Sequence, residues 1–155
     1  MADWTKTRWS HEAISAVNDL IQTCKDGEQG FKTAAEAVRD PEFQQLFLRY
    51  SQERHEFARE LQDAVRLAGG DPETSGSVSG ALHRGWIDFK AAVTSDDRSV
   101  IGAAESGEDS AVKAYRDALA RDDLPADVRA LVERQHLRVK EAHDRVRALR
   151  DRLAA

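Results

Sequence analysis

A chain of 155 residues has the length of one domain, and a domain of this size buries roughly 70% of the surface that its unfolded form exposes. Hydrophobic residues make up 41% and charged residues 33%, with 3 prolines and 9 glycines, a composition that favours amphipathic helices over sheets or disorder. The net charge of -5 comes from acidic and basic residues interleaved along the chain, which argues against nucleic acid as a partner.

The cysteine count and the N-terminal sequence indicate the compartment. Cys24 is the only cysteine, so an intramolecular disulfide is excluded and a reducing compartment is compatible. Residues 1–10 form an N-terminal extension, with Trp4 and Trp9 among charged residues and no apolar run of signal-peptide length. No apolar stretch approaches the roughly 18 residues of a membrane span. We therefore expect a single cytoplasmic domain, residues 1–155, with no membrane partner.

The first half of the chain predicts two long helices joined by a short turn. From Glu12 to Val38, apolar residues recur at spacings of three and four, which marks one face of a helix. Asp40-Pro41-Glu42 then supplies an N-cap residue, a proline at the first helical position and an acid in the first turn. Gly69-Gly70 ends this second helix. So short a connection predicts antiparallel helices.

The second half predicts a crossover followed by another helical hairpin. Residues 70–95 are the expected crossover, with a short extra helix from Val78 to Val93. A third long helix runs from about Arg98 to Arg121, and Leu124-Pro125 opens a fourth that continues nearly to the C-terminus. Two antiparallel hairpins joined by one long crossover have the connectivity of ferritin-like bundles. The predicted fold class is therefore all-α, a ferritin-like four-helix bundle.

Several acids fall on the inward faces of these helices. A helix turns about 100° per residue, and this count places Glu28 and Glu108 inside the apolar faces of the first and third helices. Counted from the two prolines at a rise of about 1.5 Å per residue, Glu53 is level with Glu28, and His143 is level with Glu108. A short repeat of Gly-Glu makes Glu28 and Glu108 equivalent. With two further acids one turn away, the predicted layer is Glu28, Glu53, Glu56, Glu105, Glu108 and His143.

Such a layer indicates a metal site, because an unpaired carboxylate in a protein core costs several kcal/mol. Carboxylates with one imidazole suit iron or manganese better than a structural zinc. The sequence thus predicts a ferritin-like metal-binding protein, for example a di-iron carboxylate protein in metal handling or oxidative-stress defence. Whether it is an enzyme stays open. The Glu-x-x-His pairs of ferritin-like di-iron proteins are incomplete, because the second helix reads Glu53-Arg54-His55-Glu56 and Glu133, three residues before His136, points away from the apolar face.

Four stretches of the sequence resemble a bacterial ferritin-like family of unknown function, over about Ile14 to Leu149. The resemblance implies the four-helix-bundle fold. The stretches are Cys24-Lys25-Asp26-Gly27-Glu28, Gly69-Gly70-Asp71-Pro72, Gly76-Ser77-Val78-Ser79-Gly80-Ala81-Leu82-His83 and Ala142-His143-Asp144-Arg145.

A reading without metal stays open beside this one. Glu28 and Glu108 could each pair with Lys or Arg of a neighbouring helix, or with a tyrosine, and His143 could be a core histidine bonded to an acid. The alternative function is a metal-free bundle that acts as a stress or interaction protein through self-association, first of all as a homodimer. In such a bundle, replacing Glu28 and Glu108 by Gln is expected to raise the stability by relieving buried charge.

Overall fold

The structure, a computed structural model, describes residues 9–74 and 96–154, and these ranges contain four α-helices and no strand. The all-α prediction is confirmed, and the predicted bounds of the four long helices agree with the structure to within two residues. The short helix predicted for Val78 to Val93 lies outside the described residues. The helices are α1 (His11–Ala37), α2 (Pro41–Leu67), α3 (Asp97–Leu119) and α4 (Ala126–Ala154).

Local signals define both ends of α2 as the sequence predicts. The side chain of Asp40 accepts the backbone N–H of Glu42 at 2.9 Å, and Pro41 occupies the first turn. At the other end, Gly69 has a φ of 84°, a left-handed conformation that favours glycine. Gly70 donates its N–H back to the last turn at 3.0 Å, so the helix ends in a Schellman-type cap.

Contacts at the two ends of α1 fix the directions of the neighbouring helices. The side chain of Asp97, at the start of α3, accepts the N–H groups of Arg39 and Asp40 at 2.8 and 3.1 Å, just beyond the end of α1. Near the start of α1, Asn18 donates to the carbonyl of Asp71, just beyond α2, at 3.1 Å. α1 therefore runs antiparallel to α2 and to α3, while α4 packs along α3 and α2.

The interior consists of two apolar clusters separated by polar side chains. The first cluster includes Leu20, Ile21, Phe57, Leu61, Tyr115 and Val132. The second includes Phe31, Phe47, Ile101, Val146 and Leu149. At the level between them lie buried Arg54 on α2 and buried Glu105 and Glu108 on α3. We call this level the polar layer, and it is the height at which the sequence places the acidic residues.

Candidate functional site

Glu108 lies at the centre of the polar layer and is bound by Arg54. The two terminal guanidinium nitrogens each lie 2.6 Å from a carboxylate oxygen, and the side chains are 1% and 0% exposed. Burial by itself lowers the pKa of Arg54, but the adjacent Glu108 carboxylate outweighs it and raises the pKa above its usual value. Glu108 therefore follows the alternative in which a buried acid pairs with an arginine from a neighbouring helix.

The guanidinium of Arg54 has space in the core because α1 carries a glycine opposite it. A Cβ atom at Gly27 would lie 3.1 Å from Nη1 of Arg54. The guanidinium carbon also lies 5.2 Å from the ring centroid of Phe31, within the range of a cation–π contact. Nε of Arg54 is buried without a hydrogen-bond partner. Gly27 is thus the residue of α1 that faces the centre of the polar layer, where the turn count placed Glu28. The guanidinium of Arg54, from α2, fills the space beside it.

Glu28 lies at the edge of the polar layer rather than at its centre. Its side chain is 17% exposed, and Oε1 lies 3.0 Å from Nδ1 of His55 and 3.4 Å from Nζ of Lys25. The Gly-Glu repeat therefore does not make Glu28 and Glu108 equivalent. Arg54 of α2 pairs with Glu108 in the core, whereas Glu28 contacts His55 and Lys25 at the edge.

Glu53 and Glu56 also lie away from Glu108. Glu53 is partly buried, with its carboxylate 4.0 Å from Nε of Arg138, and burial raises the pKa of Glu53. Glu56 is exposed. The structure does not bring the carboxylates of Glu28, Glu53, Glu56 and Glu108 to one point. Ligation of a metal by any of these residues stays a prediction.

The structure does bring two of the predicted residues, Glu105 and His143, together with Asp109. One ligand atom from each residue lies within 4.8 Å of the other two, and no other group of His, Cys, Asp or Glu in residues 9–74 and 96–154 meets this criterion. Asp109 follows Glu105 by four residues on α3, so both side chains lie on one face of the helix. The sequence analysis missed Asp109, although its spacing from Glu105 was a usable signal.

His143 is held between two carboxylates. Nε2 lies 2.6 Å from Oδ1 of Asp109, and Nδ1 lies 3.1 Å from Oδ1 of Asp144. Ionised carboxylates only accept hydrogen bonds, so a protonated ring that donates from both nitrogens satisfies this geometry. Burial lowers the pKa of His143, but the hydrogen bonds to Asp144 and Asp109 outweigh it, and the net pKa is raised.

Glu105 is held by Arg150, from the last part of α4. Nη1 of Arg150 lies 2.7 Å from Oε1 and 2.6 Å from Oε2 of Glu105. Oε2 is buried and, despite this proximity, accepts no well-aligned hydrogen bond. Glu105 itself is 8% exposed, whereas the Arg150 side chain is 40% exposed and also contacts Asp151. The group formed by Glu105, Asp109 and His143, which we call the α3–α4 triad, thus lies where the polar layer meets the surface.

A comparison with protein families gives one match. The model described as Domain of unknown function (DUF2383) matches residues 12–121. The chain belongs to this family. The matched range contains Arg54, Glu105 and Glu108 and ends before α4, so His143 lies beyond it. A search of curated proteins finds no match.

The core of this DUF2383 chain does not fit a di-iron centre. Such a centre needs inward carboxylates from four helices and Glu-x-x-His pairs on two of them. Here the guanidinium of Arg54 donates to both oxygens of Glu108, and its positive charge opposes a cation at the same point. The α3–α4 triad, with two carboxylates and one imidazole, fits a single divalent ion instead.

A series of hydrogen-bonded polar groups also crosses the first apolar cluster of the DUF2383 chain. Sγ of Cys24 lies 3.1 Å from the hydroxyl of Tyr115, which donates to Oε1 of Gln135 at 2.7 Å. Gln135 in turn donates to the backbone carbonyl of Phe57 at 3.3 Å. Burial raises the pKa of the Cys24 thiol to about 11, so this cysteine is a poor nucleophile near neutral pH.

Within the part of the chain that the structure describes, none of the helices combines the length and the apolar character that crossing a bilayer requires.

Proposed function

We propose that the chain is a ferritin-like four-helix bundle that binds one divalent transition-metal ion at the α3–α4 triad and serves in metal handling. The observation that carries the proposal is the approach of three ligand atoms, from Glu105, Asp109 and His143, to within 4.8 Å of one another. Two carboxylates and one imidazole leave coordination positions open for water or substrate. Iron and manganese are the ions that such an oxygen-rich set favours.

The distance between His143 and Asp109 requires a modest adjustment. Two ligand atoms bound at 2.0–2.2 Å from one ion lie about 2.8–3.6 Å apart for octahedral to tetrahedral angles. Nε2 of His143 and Oδ1 of Asp109 lie 2.6 Å apart, so they would separate by about 0.2–1 Å. The Asp109 side chain is 63% exposed, which gives it room to rotate while the more buried His143 stays in place.

Asp144 supports the proposed site from outside the triad. Metal-binding histidines commonly donate their second ring N–H to a carboxylate, which fixes the ring and increases its basicity. Asp144 accepts from Nδ1 of His143 at 3.1 Å in this way and leaves Nε2 directed at Asp109. Metal binding would replace the proton on Nε2 and release it.

The helix directions support the ferritin-like part of the proposal. α1 is antiparallel to α2, and α2 ends at the opposite end of the molecule from the start of α3. Ferritin-like bundles consist of two helical hairpins joined by one long crossover connection. A cytoplasmic location remains our expectation from the single cysteine, and a homodimer through exposed helix faces remains our expected assembly.

The test is direct metal binding by the full chain purified without chelator. We expect one Mn²⁺ or Fe²⁺ per chain in the unaltered protein, and affinity at least about tenfold weaker in Asp109→Asn and His143→Gln. Glu36→Gln is the matched control, since it removes one exposed carboxylate that belongs neither to the triad nor to the predicted layer. The proposal fails if the chain binds no divalent ion, or if the triad variants bind as well as the control.

The metal-free interaction protein is the second candidate, and the Arg54–Glu108 pair favours it. This pair neutralises the most deeply buried carboxylate without any ion, so a metal is not needed to stabilise the core. The same titration decides between the candidates, because a metal-free protein shows no binding that depends on His143.

A further inference from the structure

Arg150 contacts the most deeply buried carboxylate of the α3–α4 triad. One nitrogen of its guanidinium, Nη1, lies within 2.7 Å of both carboxylate oxygens of Glu105. Glu105 is nevertheless nine-tenths buried, and its Oε2 accepts no aligned hydrogen bond. Buried carboxylate oxygens normally accept hydrogen bonds, so Oε2 keeps the capacity to accept a further partner beside its ion pair with Arg150.

A guanidinium and a divalent ion cannot share this carboxylate at full strength. Both are cations. An ion coordinated by Glu105 would lie within a few ångströms of Nη1, where the positive charge of the guanidinium repels it. Because Nη1 contacts both oxygens, an ion that binds either one competes with Arg150 for Glu105.

Arg150 has a second partner to which it can retreat. Its Nη2 lies 2.9 Å and its Nε 3.3 Å from Oδ1 of Asp151, the next residue on α4. The Arg150 side chain is also 40% exposed, so water can solvate the guanidinium after it leaves Glu105. The displaced state thus leaves no unpaired charge in the interior.

We propose that Arg150 gates the α3–α4 triad: its guanidinium holds Glu105 in the metal-free protein, and a divalent cation must displace it to complete the ligand set. This inference rests on the proposed metal-binding function. It makes Arg150 a positioning residue that keeps Glu105 in place and also lowers the apparent affinity. When a site is competent for only a fraction of the time, the apparent dissociation constant rises in inverse proportion to that fraction.

The experiment is titration of the full chain with MnCl₂, with free Mn²⁺ measured by its EPR signal. If Arg150 holds Glu105 for about nine-tenths of the time, Arg150→Gln binds Mn²⁺ about tenfold more tightly than the unaltered protein. Arg150→Lys keeps the charge but loses the planar guanidinium, so its affinity is expected between those two. Arg147→Gln is the matched control, because it removes an exposed arginine one turn earlier on α4 that pairs with no triad residue. The control is expected to bind within about twofold of the unaltered protein.

The outcomes separate this inference from the proposed function. Tighter binding by Arg150→Gln that is lost on adding His143→Gln supports the gate. Equal or weaker binding by Arg150→Gln and Arg150→Lys, with His143-dependent binding in the unaltered protein, overturns the gate and leaves the metal site standing. No His143-dependent binding in any variant overturns both. Thermal melts followed by circular dichroism establish that each variant is folded. If Arg150→Gln does not fold, the affinity of Arg150→Lys for Mn²⁺ tests the gate.

Discussion

Arg54 and Glu108 form a bidentate ion pair with two contacts of 2.6 Å, in the polar layer that separates the two apolar clusters. α2 supplies the cation and α3 the anion, so the pair ties two helices that are not consecutive through a tight turn. A pair of this kind is costly to desolvate, but it is far more costly to leave either partner alone. The stability of the fold should therefore respond strongly to single changes at these residues.

Glu108→Gln is expected to lower the free energy of unfolding by about 3–5 kcal/mol, because it leaves the guanidinium of Arg54 buried without a counter-charge. This reverses the expectation from the sequence, which was that replacing Glu28 and Glu108 by Gln raises the stability of a metal-free bundle by relieving buried charge. Denaturant unfolding followed by circular dichroism measures the change, and Glu56→Gln on the exposed face of α2 is the control. A rise in stability in Glu108→Gln would mean that the pair is not ionised as the geometry indicates.

The double variant Arg54→Met with Glu108→Leu removes both charges at once. Apolar replacement of a buried ion pair is often neutral or stabilising by about 1–4 kcal/mol. We therefore expect the double variant to be at least as stable as the unaltered protein in the same unfolding experiment. A double variant as unstable as Glu108→Gln would contradict this and show that the shape of the pair, rather than its charge, sets the stability.

The glycine opposite Arg54, Gly27, gives a further prediction, with another glycine as its control. Gly102 lies in α3 with nothing within 4 Å of a Cβ built there, so Gly102→Ala should gain about 1 kcal/mol of helix propensity. In Gly27→Ala the new Cβ would lie 3.1 Å from Nη1 of Arg54, which Glu108 holds in place. We expect the gain to be cancelled or reversed there. Equal stabilisation by both changes in thermal unfolding would show that Arg54 adjusts freely.

Much of the fold was predictable because the signals for helix ends are local. Asp40 and Pro41 define the start of α2, and Gly69 takes the left-handed conformation that ends it, as their residue types require. The level of the polar layer was also predictable, since a constant rise per residue carries heights across tight hairpins. These inferences needed no knowledge of how the helices contact one another.

The composition of the site was less predictable because it depends on tertiary contacts. Arg54 lies seven residues from both Phe47 and Leu61, on the buried stripe of α2, so its inward position could be read from the sequence. A charged residue there was not expected, since burial of an arginine requires a partner on another helix. Asp109 lies off the apolar face of α3, and although its spacing from Glu105 puts both on one side of the helix, the approach of His143 from α4 is what completes the group.

Cys24 gives a prediction about chemical reactivity. Since burial raises the pKa of its thiol to about 11 from an ordinary value of 9.0, the thiolate fraction near pH 8 falls about 100-fold. We expect a disulfide reagent such as Ellman's reagent to react at pH 8 at least about 100-fold more slowly with the native protein than with the protein in guanidinium chloride. The measurement is unambiguous because the chain has one cysteine. Similar rates in both states would show that the first apolar cluster opens readily around Cys24.

Metal-dependent stability distinguishes the α3–α4 triad from the core layer that the sequence predicted. A ligand at about 100 times its dissociation constant raises the free energy of unfolding by about 2.7 kcal/mol when it binds only the native state. We expect Mn²⁺ to produce this increase in the unaltered protein and in Glu28→Gln and Glu53→Gln, whose side chains pair with His55 and Arg138 instead. His143→Gln should show an increase of at most about 1.4 kcal/mol under the same conditions, because loss of the triad's imidazole weakens binding at least about tenfold. Thermal melts with and without MnCl₂ measure all four proteins under one set of conditions. Loss of the Mn²⁺ effect in Glu28→Gln or Glu53→Gln, with its retention in His143→Gln, would favour the core carboxylates that the sequence predicted over the α3–α4 triad.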